Sequence, residues 1–147
     1  DKNIVIHYTA GLRTRKRLPS RPNLVPVGPV PYAGMPERYR DMDILLMPTV
    51  REGFGLSVAE AMASGLPVVA SDCSAIPELL DDEKGGYLCP VGGVGAFAEK
   101  INLLAASPGL RREMGQYNRY AAEDRFTLQR MVREYVRLFS SLAASAH

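Results

Sequence analysis

Two glutamates, Glu52 and Glu60, stand eight residues apart around a glycine-containing turn, and carboxylates in this arrangement can hold the hydroxyl groups of a sugar. The segment 52–60 reads EGFGLSVAE, so Glu52 precedes the turn and Glu60 lies in a predicted helix. The first N–H groups of a helix lack internal acceptors and carry partial positive charge. Glycine lets a phosphate approach the backbone closely. The pattern therefore predicts a diphosphate at the helix start.

The spacing also predicts which part of such a ligand each glutamate contacts. A helix that begins near Gly55 places Glu60 roughly 7 Å along its axis, at about 1.5 Å per residue, and the side chain leans back toward the helix start. Glu60 can then accept hydrogen bonds from ribose hydroxyls, whereas Glu52 faces the group beyond the phosphates. This arrangement suits a nucleotide sugar. Alternatively, Gly53 and Gly55 are ordinary turn glycines and Glu60 is a solvated helix residue.

Apolar strands and helices alternate around this turn, which indicates an α/β fold with parallel strands. Gly65 should end the first long helix, and Thr127 should cap the last one. That last helix carries an apolar stripe over 128–142, which packs either on this domain or on another one. The predicted strands are 3–8, 24–28, 44–47, 67–71 and 86–89, and the other predicted helices are 56–63, 94–106 and 108–124. The loops 28–35, 48–55 and 71–76 follow strands and should line one crevice.

Length and composition fit one globular domain. A chain of 147 residues with 46% hydrophobic and 23% charged residues is ordinary for such a domain. The net charge of +2 gives no reason to expect a nucleic-acid partner. Cys73 and Cys89 are not spaced as a metal site, and so few cysteines favour a reduced, cytoplasmic compartment. No apolar run reaches about 18 residues, so no transmembrane helix is predicted.

The segment 52–80, EGFGLSVAEAMASGLPVVASDCSAIPELL, resembles the signature block of family 4 glycosyltransferases, which have the GT-B fold. The block combines two glutamates separated by seven intervening residues, a Gly-Leu-Pro-Val-Val strand and an Ile-Pro-Glu turn. The flanking segments GPVPYAGMPERYRDMDILLMPT (28–49) and GGYLCPVGGVGAFAEKI (85–101) resemble the neighbouring elements of that family. The resemblance implies a Rossmann-like parallel sheet with helices on both faces. It identifies residues 1–147 as the carboxy-terminal, donor-binding half of a GT-B enzyme.

The resemblance also implies a reaction and a role for each residue of the turn. Family members transfer a sugar from a nucleotide-diphosphate donor to an acceptor, with retention and without a metal or other cofactor. Glu52 would contact the donor sugar at the catalytic centre, and Glu60 the ribose. The other implied donor-binding residues are Gly53, Phe54, Gly55, Leu56 and Ser57 in the turn, and Val30 and Pro31, whose backbone would contact the base. Alternatively, Val30 and Pro31 form a rigid surface turn.

Two family features are missing from this sequence: the basic pair after the first strand of the domain, and the amino-terminal domain. We therefore expect a fragment of a larger enzyme, inactive alone, whose absent domain binds the acceptor, which is a sugar, a lipid or another small molecule. A basic cluster is compatible with peripheral membrane contact. Alternatively, the cluster is a solvated loop. The cluster comprises Arg13, Arg15, Lys16, Arg17 and Arg21. His7 should be a hydrogen-bonded residue of the core or rim.

Three functions are compatible with these features. The first is the donor-binding domain of a retaining glycosyltransferase, the second a non-catalytic nucleotide-binding module, and the third a GT-B-type sugar-nucleotide epimerase. A nicotinamide-dependent oxidoreductase is disfavoured because no G-x-G-x-x-G motif follows the first strand. The Asp41-Met42-Asp43 run precedes a strand, whereas a metal-binding pair would be expected at a strand end.

Overall fold

The computed structural model describes residues 4–9 and 19–145, which belong to two compact units. The first unit extends to Asp41 and the second begins at Met42. Of the basic cluster, Arg21 is described and is exposed. The other four members, Arg13, Arg15, Lys16 and Arg17, lie outside the described residues.

The first unit contains two parallel strands and two short helical segments. These are β1 (Ile6–Thr9), β2 (Leu24–Val27), a 3-10 turn (Tyr32–Gly34) and α1 (Met35–Arg40). His7 is exposed on β1, and its Nδ1 atom lies 3.2 Å from Nη2 of Arg38. This contact confirms that His7 is a hydrogen-bonded residue at the rim of the unit.

The second unit contains a three-stranded parallel sheet in the order β3-β4-β5, with helices between and after the strands. Its elements are β3 (Leu45–Met47), α2 (Leu56–Ala63), β4 (Val68–Ser71), α3 (Ile76–Leu79), β5 (Gly86–Cys89), α4 (Val94–Ala106), α5 (Pro108–Arg125) and α6 (Leu128–Ala144). Parallel strands flanked by helices are the predicted α/β architecture. In this unit each predicted strand, and each helix whose two ends were predicted, agrees with the structure to within one residue at either end.

The core of the second unit lies between the sheet and its long helices. All four residues of β4 are buried, which agrees with its continuous run of small and apolar residues. Burial also raises the pKa of the Cys89 thiol, so this cysteine behaves as a small apolar residue. The main cluster comprises Val69, Tyr87 and Cys89 of the sheet, Phe97 and Leu104 of α4, and Met114 of α5.

Helix α2 ends where the sequence predicts. Gly65 has a left-handed φ of 77°, a conformation that glycine adopts at no steric cost. The Gly65 N–H donates to the Met62 carbonyl at 2.9 Å, and the Leu66 N–H donates to the Ala61 carbonyl at 3.0 Å. These two bonds form a Schellman motif. The chain therefore turns sharply from α2 into β4.

Helix α6 begins as predicted, but its apolar stripe is exposed. The Thr127 hydroxyl accepts a hydrogen bond from the Arg130 N–H at 3.3 Å, which confirms the N-cap. The exposed apolar residues are Leu128, Met131, Val132, Tyr135, Val136, Leu138, Phe139 and Leu142. Within the described residues the stripe is thus not covered by the second unit. In the same part of the chain, no helix has the length and apolar character needed to cross a bilayer.

Candidate functional site

The loop from β3 to α2 is held in shape by Thr49, the second residue after the strand. The Thr49 hydroxyl donates to the Arg51 carbonyl at 2.8 Å and accepts from the Arg51 N–H at 3.3 Å. The Thr49 N–H also donates to the Met47 carbonyl at 2.9 Å. Local bonds of this kind fix a turn without help from distant residues. They define the direction in which the chain enters the segment 52–55, here called the glycine turn.

Gly55 is the N-cap of α2, and its conformation requires glycine. Its φ of 93° and ψ of 45° lie in the left-handed region. A Cβ at this position would lie 2.9 Å from the Cδ1 atoms of both Ile76 and Leu79, which are buried residues of α3. The Gly55 carbonyl accepts from the Val58 and Ala59 N–H groups at 2.9 and 3.1 Å. The backbone of the turn therefore lies directly against α3.

The start of α2 combines a positive helix end with a cap residue that has no side chain. The first N–H groups of any helix lack intrahelical acceptors, and side chains of serine or aspartate at the N-cap often supply one. Gly55 supplies none. Leu56, the first residue of the helix, is 66% exposed. An anion can therefore approach this end of the helix from solvent.

Gly53 and Glu52 form the outer part of the turn. A Cβ added at Gly53 would meet no described atom within 4 Å, apart from its chain neighbours. The Gly53 N–H donates to Oε1 of Glu52 at 3.1 Å, in an exposed position. The Glu52 carboxylate thus folds back over the turn, and one weak, exposed hydrogen bond holds it there. A ligand hydroxyl can replace the Gly53 N–H as a donor to this carboxylate.

Ser57 and Glu60 lie on one side of α2, because residues three apart in a helix are neighbours. Both are half-buried. Glu60 follows the Gly55 cap by five residues, within one and a half turns of the helix start. The structure therefore places Glu52, Glu60 and the intervening donor-binding candidates on one continuous loop-and-helix segment, as the sequence predicts.

The loop after β4 contacts the loop after β3. The Cys73 thiol lies 3.7 Å from the Thr49 carbonyl, close enough for a weak S–H···O hydrogen bond. Ser74, the next residue, has a left-handed φ of 53°. Two of the three loops that the sequence assigns to one crevice, 48–55 and 71–76, are thereby joined. Cys73 was not among the predicted site residues, although its place after a parallel strand was a usable signal.

Val30 and Pro31 belong to the first unit, where they precede the 3-10 turn. The Pro31 carbonyl accepts from the Gly34 N–H at 2.9 Å. Cγ1 of Val30 lies 3.5 Å from the position that a Cβ would take at Gly34. These contacts make the segment 30–34 a compact turn. Its predicted contact with a base stays a prediction.

The site also includes Phe126, which the sequence did not reveal. The ring of Phe54 meets the ring of Phe126 edge to face, with centroids 6.2 Å apart and an interplanar angle of 89°. Phe126 follows α5, so the contact joins residues far apart in the chain, and no local pattern predicts it.

Among residues 4–9 and 19–145, no group of three or more histidine, cysteine or acidic side chains is arranged to hold a metal ion.

Comparisons with known proteins find relatives in both sequence and fold. The family model described as "Glycosyl transferases group 1" matches residues 7–107. The D-inositol 3-phosphate glycosyltransferase of Kribbella flavida is 37% identical over 90 residues, which is 61% of this chain and 21% of that protein. The chain thus spans about a fifth of the length of this curated relative.

Solved structures show the same fold. The C-terminal domain of a glycosyl transferase group 1 family protein (LpcC) from Francisella tularensis is 29% identical, with a TM-score of 0.67, over 72% of this chain and 55% of that one. A TarM variant of S. aureus, in complex with Fondaparinux, alpha-GlcNAc-glycerol and UDP, is 28% identical, with a TM-score of 0.74, over 80% of this chain and 24% of that one. The solved structures that resemble this chain are GT-B glycosyltransferases. The fold of the chain is consistent with the Rossmann-like carboxy-terminal half of such an enzyme.

Proposed function

Since this chain belongs to the group 1 glycosyl transferases, we propose that its glycine turn and helix α2 bind a nucleotide-diphosphate sugar. The sugar is the donor, and its glycosyl group is transferred to an acceptor. The observation that carries the proposal is the pairing of an open glycine, Gly53, with the helix start at Gly55, where the cap residue has no side chain. A diphosphate needs both features, because its oxygens must come within hydrogen-bond distance of backbone N–H groups.

The two carboxylates extend this anion site toward the two sugar rings. Glu60 lies far enough along α2 to accept hydrogen bonds from the ribose while the phosphates remain at the helix start. Glu52 is the first residue of the glycine turn, and we assign it to the hydroxyls of the donor sugar. The UDP in the TarM complex supports this class of donor. The resemblance to family 4 favours retention at the anomeric carbon and transfer without a metal.

The chemistry assigned to the turn is stabilisation of the leaving group. When the bond between the anomeric carbon and the phosphate oxygen breaks, negative charge develops on the diphosphate. Backbone N–H groups and the dipole of α2 stabilise that charge without rearranging, which is the most effective form of electrostatic catalysis. Glu52 holds the sugar in place during this step. Basic side chains that complete the charge balance are assigned to other parts of the enzyme.

We further propose that the chain acts as the carboxy-terminal half of a longer enzyme. It spans about a fifth of the Kribbella flavida relative, and it resembles a C-terminal domain of LpcC. The acceptor then binds to another domain, and the exposed stripe of α6 packs on that domain. On this proposal the chain alone binds the donor but does not transfer the sugar. Net transfer to an acceptor by the longer protein distinguishes it from a binding module and from an epimerase.

The experiment that tests the site is a titration of the chain with uridine, guanosine and adenosine diphosphates. For the diphosphate that binds, Glu60→Ala should weaken binding by about 1.5–3 kcal/mol, the scale of a hydrogen bond to a charged group. This corresponds to roughly a 10- to 150-fold higher Kd. Glu113→Ala, which removes an exposed glutamate of α5, is the matched control and should leave Kd unchanged. Unchanged affinity in a folded Glu60→Ala variant would exclude the ribose contact.

Glu52 should have a different signature, because it contacts the sugar and not the nucleotide. Glu52→Ala should preserve the affinity for the bare nucleoside diphosphate and weaken that for the corresponding nucleotide sugar. The comparison needs both ligands on the same variant, measured by calorimetry. Equal losses for the two ligands would contradict the assignment of Glu52 to the sugar.

A further inference from the structure

The corner between α5 and α6 lies beside the glycine turn. It consists of Arg125, Phe126 and Thr127, and each of them is fixed by hydrogen bonds. The Phe126 N–H donates to the Ala122 carbonyl at 3.0 Å, which closes the last turn of α5. Thr127 caps α6 through its bond with the Arg130 N–H. Phe126 is therefore held between two helix ends, and its ring has a defined direction.

That ring contacts the one aromatic residue of the glycine turn. Phe54 stands between Gly53 and Gly55 and is 48% exposed. Within the described residues, Phe126 is the aromatic ring that packs on Phe54, and the pair has the edge-to-face geometry that aromatic rings prefer. The glycine on each side of Phe54 leaves its backbone few restraints of its own. The contact with Phe126 supplies one from outside the turn.

Arg125 connects this contact with the other support of the turn. Its guanidinium carbon lies 5.1 Å from the centre of the Phe126 ring. The same guanidinium donates to the Leu79 carbonyl and, at 3.4 Å, to the Glu78 carbonyl, both at the end of α3. Helix α3 provides the apolar wall, Ile76 and Leu79, against which Gly55 lies. One arginine thus links the ring behind Phe54 with the wall behind Gly55.

We propose that Phe126 is a positioning residue for the donor: through Phe54, it holds the backbone of the glycine turn in the conformation that receives the diphosphate. Arg125 in turn holds Phe126. The inference rests on the proposed function of the turn as a diphosphate site. A phosphate site made of backbone N–H groups requires that these groups be placed accurately, since misplacement by about 1 Å has large effects on binding and catalysis.

The test is a comparison of Phe126 variants of the 147-residue chain. Loss of an edge-to-face pair that orders a binding loop should raise Kd roughly 2- to 12-fold in Phe126→Ala, measured with whichever of the uridine, guanosine and adenosine diphosphates the unchanged chain binds. Phe126→Tyr keeps the ring and should bind as the unchanged chain does. Phe139→Ala is the matched control, because Phe139 is an exposed phenylalanine of α6 that stacks on Tyr135 and not on the turn. All Kd values are measured below the unfolding transition of every variant.

Two further measurements separate positioning from a general loss of stability. Hydrogen exchange at the amides of 53–56 should become faster in the ligand-free Phe126→Ala variant, but not in Phe139→Ala. The double variant Phe54→Ala with Phe126→Ala should bind no more weakly than Phe54→Ala alone, because Phe126 acts through Phe54. If Phe126→Ala does not fold, Phe126→Leu retains apolar volume without the aromatic edge, and the same changes are expected.

The outcomes distinguish this proposal from the one on which it rests. If the unchanged chain binds none of the three nucleoside diphosphates, the proposed function is overturned, and hydrogen exchange alone decides whether Phe126 orders the turn. If the chain binds but folded Phe126→Ala has the same Kd and the same exchange rates at 53–56, the positioning role is overturned. Additive losses in the double variant would overturn the route through Phe54.

Discussion

The two ends of the three-stranded sheet use the same residue type for opposite purposes. At the carboxyl end of β3, Gly53 has open space where a side chain would lie. At the opposite end, a Cβ on Gly115 would lie 2.1 Å from the Gly65 carbonyl oxygen, and one on Gly85 would lie 1.9 Å from Oδ1 of Asn118. The glycines at the opposite end thus mark closed backbone contacts, whereas Gly53 leaves the backbone accessible.

Polar groups differ between the two ends in the same way. At the closed end, the fully buried Asn118 donates from Nδ2 to the carbonyls of Leu66 and Gly85, at 2.7 and 2.6 Å. Asp81, which precedes β5, accepts from Tyr117 at 2.5 Å and from Arg125, whose side chain reaches it from the corner beside the glycine turn, at 2.8 Å. At the open end, the Glu52 carboxylate has one exposed bond to the next N–H in the chain. Polar groups at the closed end stabilise the fold, whereas those at the open end can exchange their partners for a ligand.

The largest effect expected from this comparison is on Gly115. Gly115→Ala forces α5 away from the turn after α2, because both contacting groups are backbone and neither can rotate away. We expect a loss of about 3 kcal/mol in the free energy of unfolding, at the upper end of overpacking effects. The midpoint of thermal unfolding should fall by roughly 6–12 °C for a chain of this size.

The control for Gly115 lies on the same helix. Gly109 has no described atom within 4 Å of an added Cβ. Gly109→Ala should therefore be neutral or stabilise the chain by up to about 0.5 kcal/mol, since alanine favours helices. Equal unfolding midpoints for the two variants would contradict the close contact between the backbones of Gly115 and Gly65.

The second prediction concerns the two glycines of the open end. Gly55→Ala should lower the free energy of unfolding by about 2 kcal/mol, because its left-handed conformation is strained for alanine and the methyl group meets Ile76 and Leu79. Gly53→Ala should leave unfolding unchanged to within about 0.5 kcal/mol.

Gly53→Ala should also affect donor binding, because on the proposed function a methyl group at this position would stand where the diphosphate approaches. Gly53→Ala is expected to weaken nucleoside diphosphate binding by about 1 kcal/mol, or roughly fivefold in Kd. Urea unfolding and calorimetric titration of both variants provide the measurements. A Gly53→Ala variant with normal affinity would show that the ligand does not approach this part of the backbone.

The sequence was sufficient for the strands and long helices of the second unit and for the turn, because these depend on local signals. In the first unit, the strand predicted over 3–8 is instead Ile6–Thr9. The apolar run of β4, the Schellman glycine Gly65 and the Thr127 cap each depend on residues adjacent in the chain. The segment 52–60 could also be predicted as a loop followed by a helix, since its two glycines and the apolar residues of α2 are close neighbours.

Contacts between distant residues could not be predicted in this way. Phe54 and Phe126 meet because α5 packs back on the sheet, and neither residue has a pattern that reveals the other. The thiol of Cys73 reaches Thr49 only because β3 and β4 are neighbours in the sheet. The stripe of α6 was predicted from its periodicity, but periodicity states only that one face is apolar and not what covers it.

A prediction of similar size tests the hydrogen bond between Tyr117 and Asp81 through its pH dependence. The hydrogen bond from Tyr117, supported by Arg125, lowers the pKa of Asp81, and the same bond raises the pKa of Tyr117. A lowered pKa of Asp81 stabilises the fold above about pH 4, and this contribution is lost as the pH falls through the lowered value. A raised pKa of Tyr117 stabilises the fold below about pH 10, and this contribution is lost as the pH rises further.

Tyr117→Phe should therefore destabilise the chain between about pH 4 and pH 10, and less beyond either limit. We expect a loss of about 1 kcal/mol at pH 7, below the usual range for a charged hydrogen bond, because the Asp81 side chain is 36% exposed. Tyr120→Phe, on the same helix but 73% exposed, is the control and should have no effect. Urea unfolding at pH 3, 7 and 10.5 measures the difference. If the difference in free energy of unfolding between Tyr117→Phe and the unchanged chain were the same at all three pH values, the ionisation of Asp81 and Tyr117 would not contribute to it.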